Sequence, residues 1–410
     1  MSVPLPAHRR LPRSLYLHIP FCHRRCFYCD FPVVPLGDKA DGSRSPSVDH
    51  YLALLLQDLD AAPAGPPLST LYIGGGTPSL LSPEQLSRLL AAVRRHWGLA
   101  PGAEVTLEMD PASFDQQRLG SVLQLGVNRV SLGGQSFDDA VLAGLGRRHR
   151  AEQLREACGW LQQAHRAGLL QSWSLDLIVN LPNQTVQQWG WELEQAIAQA
   201  PPHLSIYDLI VEPGTVFERR ERAGQLNLPE QDLAADQLEY THSHLASAGY
   251  GHYEISSWAL PGHSSRHNRA YWSGAGWWAL GLGATSGVGG ERLVRPRTRD
   301  AYSSWVQQQA GRQGGDPALL PPLEDLLLVG LRRREGVDLL WLQRSGLWQR
   351  SQSLVIWLQQ ALKPWLEQGL AVLTKERLRL PAPAGFGLSN AVLADLLLAL
   401  ERAEPSAPTG

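Results

Sequence analysis

Short apolar segments alternate with amphipathic helical patterns from about residue 14 to residue 258, and this alternation narrows the possible folds more than any other feature. Residues 14–19, 70–73, 104–108, 129–132, 174–179, 203–210 and 251–255 read as strands. Helical patterns fill most of the intervals between them. Ser82-Pro83-Glu84-Gln85 supplies an N-cap, a proline at the first helical position and a capping-box glutamine. Ser113-Phe114-Asp115-Gln116 repeats the device, and helical stretches follow at 185–199 and 233–246. Such alternation predicts a parallel sheet with right-handed crossovers. About six strand–helix units predict an α/β fold, an open, partial TIM-type β/α barrel whose chemistry collects at the C-terminal ends of its strands.

The pattern changes after residue 322. Residues 323–331, 337–344 and 353–368 read as helices, 371–380 as a short hairpin around Thr374-Lys375-Glu376-Arg377, and 388–400 as a last helix. Helices with a small hairpin suggest a winged-helix-like module. Its charges alternate in sign and no basic recognition face is evident, so a domain covering the barrel is expected rather than a nucleic-acid reader. The chain therefore divides into a tail (1–13), the barrel (14–290), a linker or crossover (291–322), the helical domain (323–401) and a second tail (402–410). Residues 35–46 read as loop or disorder.

Three cysteines, Cys22, Cys26 and Cys29, stand in the loop 20–33 that directly follows the first strand. A C-x3-C-x2-C loop supplies three thiolates, whereas a closed 4Fe–4S cluster takes four cysteine ligands. One iron is then left open to something other than protein. Cys26-x-x-Cys29 alone also suits half a zinc site or a redox dithiol. A zinc site needs two more ligands, and no C-x-x-C or H-x3-H partner follows; a dithiol needs no third cysteine upstream. The fourth cysteine, Cys158, lies in an amphipathic helical pattern and reads as a buried free thiol.

Clustering of three of the four cysteines points to a reducing compartment rather than a disulfide framework. With 37 basic and 39 acidic side chains the charge is near balance, so no general affinity for polyanions follows. No apolar run is long enough to span a bilayer, and the N-terminus lacks the apolar core of a secretory signal. A cytoplasmic protein without nucleic-acid partners is expected, and peripheral membrane contact stays open.

The segment Leu71-Tyr72-Ile73-Gly74-Gly75-Gly76-Thr77-Pro78 carries a strand straight into three glycines, which let a ligand approach the backbone closely. It is not a P-loop, because no Gly-Lys-Ser/Thr follows. On the second strand, behind a three-cysteine loop on the first, it completes a recognisable pattern. The chain resembles the radical S-adenosylmethionine superfamily, and within it the oxygen-independent coproporphyrinogen III oxidases and the related heme chaperones. The resemblance runs from Leu15 to about Leu400.

That resemblance implies a 4Fe–4S cluster on Cys22, Cys26 and Cys29, with S-adenosylmethionine on the open iron. It implies that Tyr16 and Tyr28 line cluster and adenosyl group, and that Gly75, Gly76 and Thr77 bind the methionine part through backbone groups. Glu108, Gln135, Arg147 and Asp176, at or near strand ends, would complete the S-adenosylmethionine site, Arg147 by bidentate pairing with a carboxylate. Two departures are visible: Gly134 stands where relatives tend to carry valine, and Asn180 where they tend to carry glycine. Asparagine tolerates positive φ, so that turn is expected to survive.

Two functions follow from the family. One is oxidative decarboxylation of coproporphyrinogen III, the other carriage of heme to acceptor proteins, with an electron donor in either case. Oxidases continue the cysteine loop with a further cysteine where this chain has Phe31, and His267-Asn268-Arg269-Ala270-Tyr271-Trp272 matches the chaperone branch. Heme as cargo is therefore the favoured expectation. His267 is the candidate axial ligand, against a plain structural role.

Overall fold

A computed structural model describes residues 11–38, 42–308 and 319–402. Most of the expected terminal tails (residues 1–10 and 403–410) and part of the expected linker (309–318) lie outside the described residues. Nine strands form one sheet: β1 (Ser14–Ile19), β2 (Leu68–Gly75), β3 (Leu99–Met109), β4 (Arg129–Gln135), β5 (Ser172–Val179), β6 (His203–Asp208), β7 (Gly251–Glu254), β8 (Ser257–Ala259) and β9 (Trp278–Leu280). Their order is β9-β1-β2-β3-β4-β5-β6-β8-β7, and the sheet does not close on itself. From β9 to β6 every pair is parallel, while β8 and β7 attach antiparallel at the far edge.

The expected open α/β barrel is thus present, with two changes. The segment near 251–255 is an antiparallel edge rather than a further parallel unit, because the short hairpin β7–β8 turns back on β6. The sheet also gains β9, whose Trp278 and Leu280 lie in register with Leu15 and Leu17. One face of the sheet carries the apolar core, where Leu15, Leu17, Ile73, Val130 and Leu175 are all inaccessible to solvent; the other turns toward the barrel interior. The capping box at Ser82–Gln85 forms as expected, and Thr185–Gln188 makes a further one at the start of the 185–199 helix. At the third site Asp115, not Ser113, is the cap, accepting from the Arg118 N–H at 2.8 Å.

Much of the expected linker belongs to the barrel. Residues Glu291–Val294 pair with Thr285–Val288, and helix Arg299–Gln308 places Tyr302 and Val306 in the main core. A buried clasp holds this segment. The Asp58 carboxylate, on the helix Pro46–Asp60, accepts from Arg295 Nε at 2.7 Å and Nη2 at 2.9 Å, and from the Tyr302 hydroxyl at 2.9 Å. The Gly281 N–H adds a fourth bond at 3.1 Å, so the buried ion pair has its lone pairs engaged.

Residues 323–402 form a second core around Leu327, Leu339, Leu358, Leu378 and Leu396. The expected hairpin is present, and Val337–Asp338, read as the start of a helix, is instead a strand that joins it to give three strands, the helix beginning at Leu339. The expected 353–368 helix is two, Leu354–Ala361 and Lys363–Glu367, since Pro364 cannot continue the first. This module docks on the β7 edge: the Ile255 N–H donates to Arg332 O at 3.0 Å and the Arg334 N–H to Tyr253 O at 3.1 Å. It caps an open sheet edge. None of its described residues lines the cavity at the strand ends, unlike the covering role expected for it.

Candidate functional site

A cavity of about 420 Å³ opens at the C-terminal ends of the parallel strands. The cysteine loop forms one wall. Residues Phe21–Cys22 pair with Val34–Pro35 and close the loop at its neck. Phe27 anchors its tip, donating its N–H to Leu145 O at 2.9 Å and accepting from the Phe217 N–H at 3.1 Å. Cys22, Cys26 and Cys29 all line the cavity as free thiols. Burial, then the nearness of Cys26 and Cys29, pushes the Cys22 thiol up to about 12, so metal binding must displace that proton.

The donor set fits a cubane cluster. Among the described residues no three acidic, histidine or cysteine side chains converge on a single-ion point. A cluster holding each thiolate on a different iron needs thiols spread apart and facing the same space, as the three on this loop do. Arg147 adds an N–H donor, its Nη1 3.7 Å from Cys26 Sγ, the kind of contact that tunes a cluster sulfur.

The glycine triplet forms the adjoining wall for steric reasons. A Cβ on Gly74 would lie 2.8 Å from Glu108 Oε1, and one on Gly76 would lie 2.5 Å from Phe21 O. Gly75 takes φ +121°, a conformation costly for any other residue. Its N–H donates to Glu108 Oε2 at 2.8 Å, while the Gly76 and Thr77 N–H groups donate to Ile19 O at 2.8 Å and Phe21 O at 2.6 Å. With these donors engaged, the backbone can offer a ligand only carbonyl oxygens, which suit an ammonium group.

Across the cavity stand the strand-end carboxylates. Glu108 accepts from the Tyr72 hydroxyl at 2.8 Å; burial pushes its carboxyl up to about 7 against the pull of Tyr72 and Gly75. Asp176 accepts from Ser131 at 2.7 Å and Ser174 at 2.8 Å, and burial also raises its carboxyl. Gln135 lines the cavity at the end of β4 with φ +68°. Arg147 donates through Nη2 to Asp110 Oδ2 and to Gly133 O, both at 2.7 Å, so its partner is one oxygen of a protein carboxylate. Although burial works against the charges of this pair, Arg147 and His149 hold Asp110 below the usual carboxylate range. Asn180 adopts φ +61°, and its turn survives. A Cβ on Gly134 would meet Leu175 at 2.7 Å and Leu154 at 3.1 Å, so this core has filled the space a valine needs.

Two expected residues fall elsewhere. Tyr16 lies in register with Tyr72, but its hydroxyl bonds His18 Nδ1 at 3.0 Å and it does not line the cavity; Tyr72 holds that position. Tyr28 does line it, packed against Phe217. His267 is 1% exposed, and both ring nitrogens are engaged, Nδ1 with Thr70 Oγ1 and Nε2 with the Tyr271 hydroxyl, each at 2.8 Å. With no nitrogen free, this histidine is a structural tie and not an axial ligand. Tyr72, Asp110 and Ser131 escaped the motif reading. The signal for Asp110 was period-two alternation, which puts it on the same strand face as Glu108.

Comparison with known proteins agrees with this geometry. Residues 16–194 match the model of the radical SAM superfamily. The heme chaperone HemW of Synechocystis is 38% identical over 95% of this chain and 98% of its own length. The heme chaperone HemW of Escherichia coli is 40% identical over 67% of this chain and 69% of its own. Among solved structures, Escherichia coli coproporphyrinogen III oxidase (HemN), described as a radical SAM enzyme, superposes with a TM-score of 0.76 over 95% of this chain and 90% of that one, at 23% identity. That last likeness establishes the shared fold.

Proposed function

We propose a function from one premise: this chain belongs to the HemW family of the radical SAM superfamily. It is a heme chaperone that holds a 4Fe–4S cluster and S-adenosylmethionine at the strand ends and passes heme to acceptor proteins. The observation that carries the cofactor assignment is the cavity itself, where three free thiols of one loop face a glycine triplet and the buried carboxylates Glu108 and Asp176. When bound, the cluster and S-adenosylmethionine supply one-electron reduction and a 5′-deoxyadenosyl radical.

The chain's own residues bind and orient. Cys22, Cys26 and Cys29 hold the cluster, Arg147 donates toward the Cys26 sulfur, and Tyr28 packs beside it. Glu108 and the carbonyls of Gly75 and Gly76 receive an ammonium, Thr77 flanks them, and Asp176 and Gln135 face the ribose. Phe31 stands 52% exposed at the cavity mouth, where it offers an apolar edge and no fourth thiolate. Among the described residues no helix is long and apolar enough to cross a membrane.

The test is anaerobic reconstitution with iron and sulfide, then incubation with reductant, S-adenosylmethionine and coproporphyrinogen III beside an active oxidase control. Cluster formation and heme binding without a divinyl product are expected. Formation of that product overturns the chaperone reading, and failure to form any cluster overturns both family activities.

A further inference from the structure

A second, larger cavity of about 590 Å³ lies at the seam between the barrel and the C-terminal module, away from the cysteine loop. Its volume is within the range of small-molecule sites, roughly 300–1,000 Å³. Four guanidinium groups line it, those of Arg13, Arg333, Arg344 and Arg377, with the indoles of Trp272 and Trp341. Among the described residues Asp338 is the only acidic side chain on its lining, and it is committed elsewhere: one oxygen caps the Trp341 N–H at 2.9 Å and the other lies 3.6 Å from Arg377. Nearby Glu335 is taken by Arg269 at 2.8 Å. The cleft is therefore cationic with aromatic walls.

Residues 273–276, Ser-Gly-Ala-Gly, form its floor, and no side chain there is larger than a hydroxymethyl group. A floor of bare backbone beside two indoles makes a slot for something flat. Two buried donors on the lining, Arg333 Nε and Trp272 Nε1, have no hydrogen-bond partner in the protein. Unpartnered buried donors are costly, and these two leave the packing behind the cleft incompletely satisfied. Burial, with the neighbouring cations Arg269 and Arg377 and against the pull of Glu335, makes the Arg333 charge less favourable, and a further anion would favour it.

We propose that this seam cleft is the berth of the carried tetrapyrrole, a flat aromatic dicarboxylate held by its carboxylates on the arginines and by its face on Trp272 and Trp341. The proposal rests on the heme-chaperone reading. Among the described residues no histidine, cysteine, methionine or tyrosine lines the cleft, so none of them supplies an axial ligand to the ring. Guanidinium forks match carboxylates and indoles stack on flat rings, so such binding needs no metal. The iron then stays open to an acceptor's ligands. The motif carrying His267 becomes a wall between the two cavities: Tyr72 lines the first and stacks on His267 at 5.1 Å, and Tyr271 bonds His267 and packs on Trp272, which lines the second.

The experiment titrates the reconstituted full-length chain with hemin and, separately, with metal-free protoporphyrin IX, following absorbance and tryptophan quenching. Wild type is expected to bind both with Kd values within about fivefold of each other, because the metal contributes nothing. The double variant Arg344→Glu/Arg377→Glu is expected to lose at least about tenfold in affinity for both, as charge-assisted bonds are lost. Ser273→Phe obstructs the floor without altering charge and should weaken both ligands while the cluster chromophore is unchanged; it decides the matter if the double variant fails to fold. Hemin binding without protoporphyrin binding, or full binding by the folded variants, overturns the cleft and leaves the chaperone reading standing. Wild type that binds neither ligand overturns both.

Discussion

The strand-end cavity and the seam cleft are both lined by arginine and aromatic side chains, yet they are built by different means. In the first, backbone does the positioning: parallel strands in fixed register end together, so Gly75, Glu108, Gln135 and Asp176 face one space. In the second, two separate cores meet, and the lining residues come from elements joined at the edge around Glu254 and Arg333 and by side-chain pairs such as Arg269–Glu335. The first is rigid in the way a sheet is rigid. The second is as well defined as the docking of the C-terminal module. A site made by register survives a surface mutation, whereas a site made by docking responds to the strength of the joint.

The contrast can be broken most severely at the cysteine loop. Cys26→Ser is expected to abolish cluster assembly, read as loss of the broad visible absorbance after reconstitution, while protoporphyrin binding at the seam is retained; a fully reconstituted mutant would refute the ligand assignment. Glu108→Ala should leave the cluster intact and weaken S-adenosylmethionine binding by about 10- to 100-fold, the usual loss for a hydrogen bond to a charged group. Unchanged affinity in calorimetry removes Glu108 from the site.

A smaller effect follows from the raised carboxyl of Glu108. Its value of about 7 means that the unliganded site gains a proton below that pH, and an ammonium binds the ionised form. Affinity for S-adenosylmethionine should therefore fall as pH drops below about 7, approaching tenfold per unit. In Glu108→Gln the slope should vanish, and seam binding should not share it. The smallest effect is at the joint. Arg269→Ala removes a half-exposed pair at 2.8 Å and should cost at most about 1 kcal/mol in denaturant unfolding. A larger loss would show that docking is more finely balanced than this contact implies.

What the sequence made legible was local. The spacing of Cys22, Cys26 and Cys29 places three thiols on one loop whatever surrounds them, and the strand–helix alternation fixes where that loop emerges. Glu108 and Asp176 were readable because a strand end faces the mouth by parity. His267 was misread because the state of an imidazole depends on its partners, and Thr70 lies 197 residues away. Tyr16 and Tyr72 are registered neighbours, and only Glu108, on a third strand, decides which hydroxyl turns into the cavity. The short strand Val337–Asp338 carries too few residues for any periodicity, and the module's docking edge leaves no periodic trace at all.

The clasp between Asp58 and Arg295 sets a timetable for synthesis. Its two halves are 237 residues apart, and β1 gains its outer neighbour β9 only as that distance is completed. At a ribosomal pace of about 5–20 residues per second, the wait is roughly 10–50 s. Throughout it β1 is an unprotected edge, and the loop hanging from it carries three reduced thiols outside any finished wall. A nascent chain of this kind is most exposed to oxygen and to mispairing before its cluster site exists. Release of residues beyond Tyr302 is therefore the event that converts a reactive loop into a protected one.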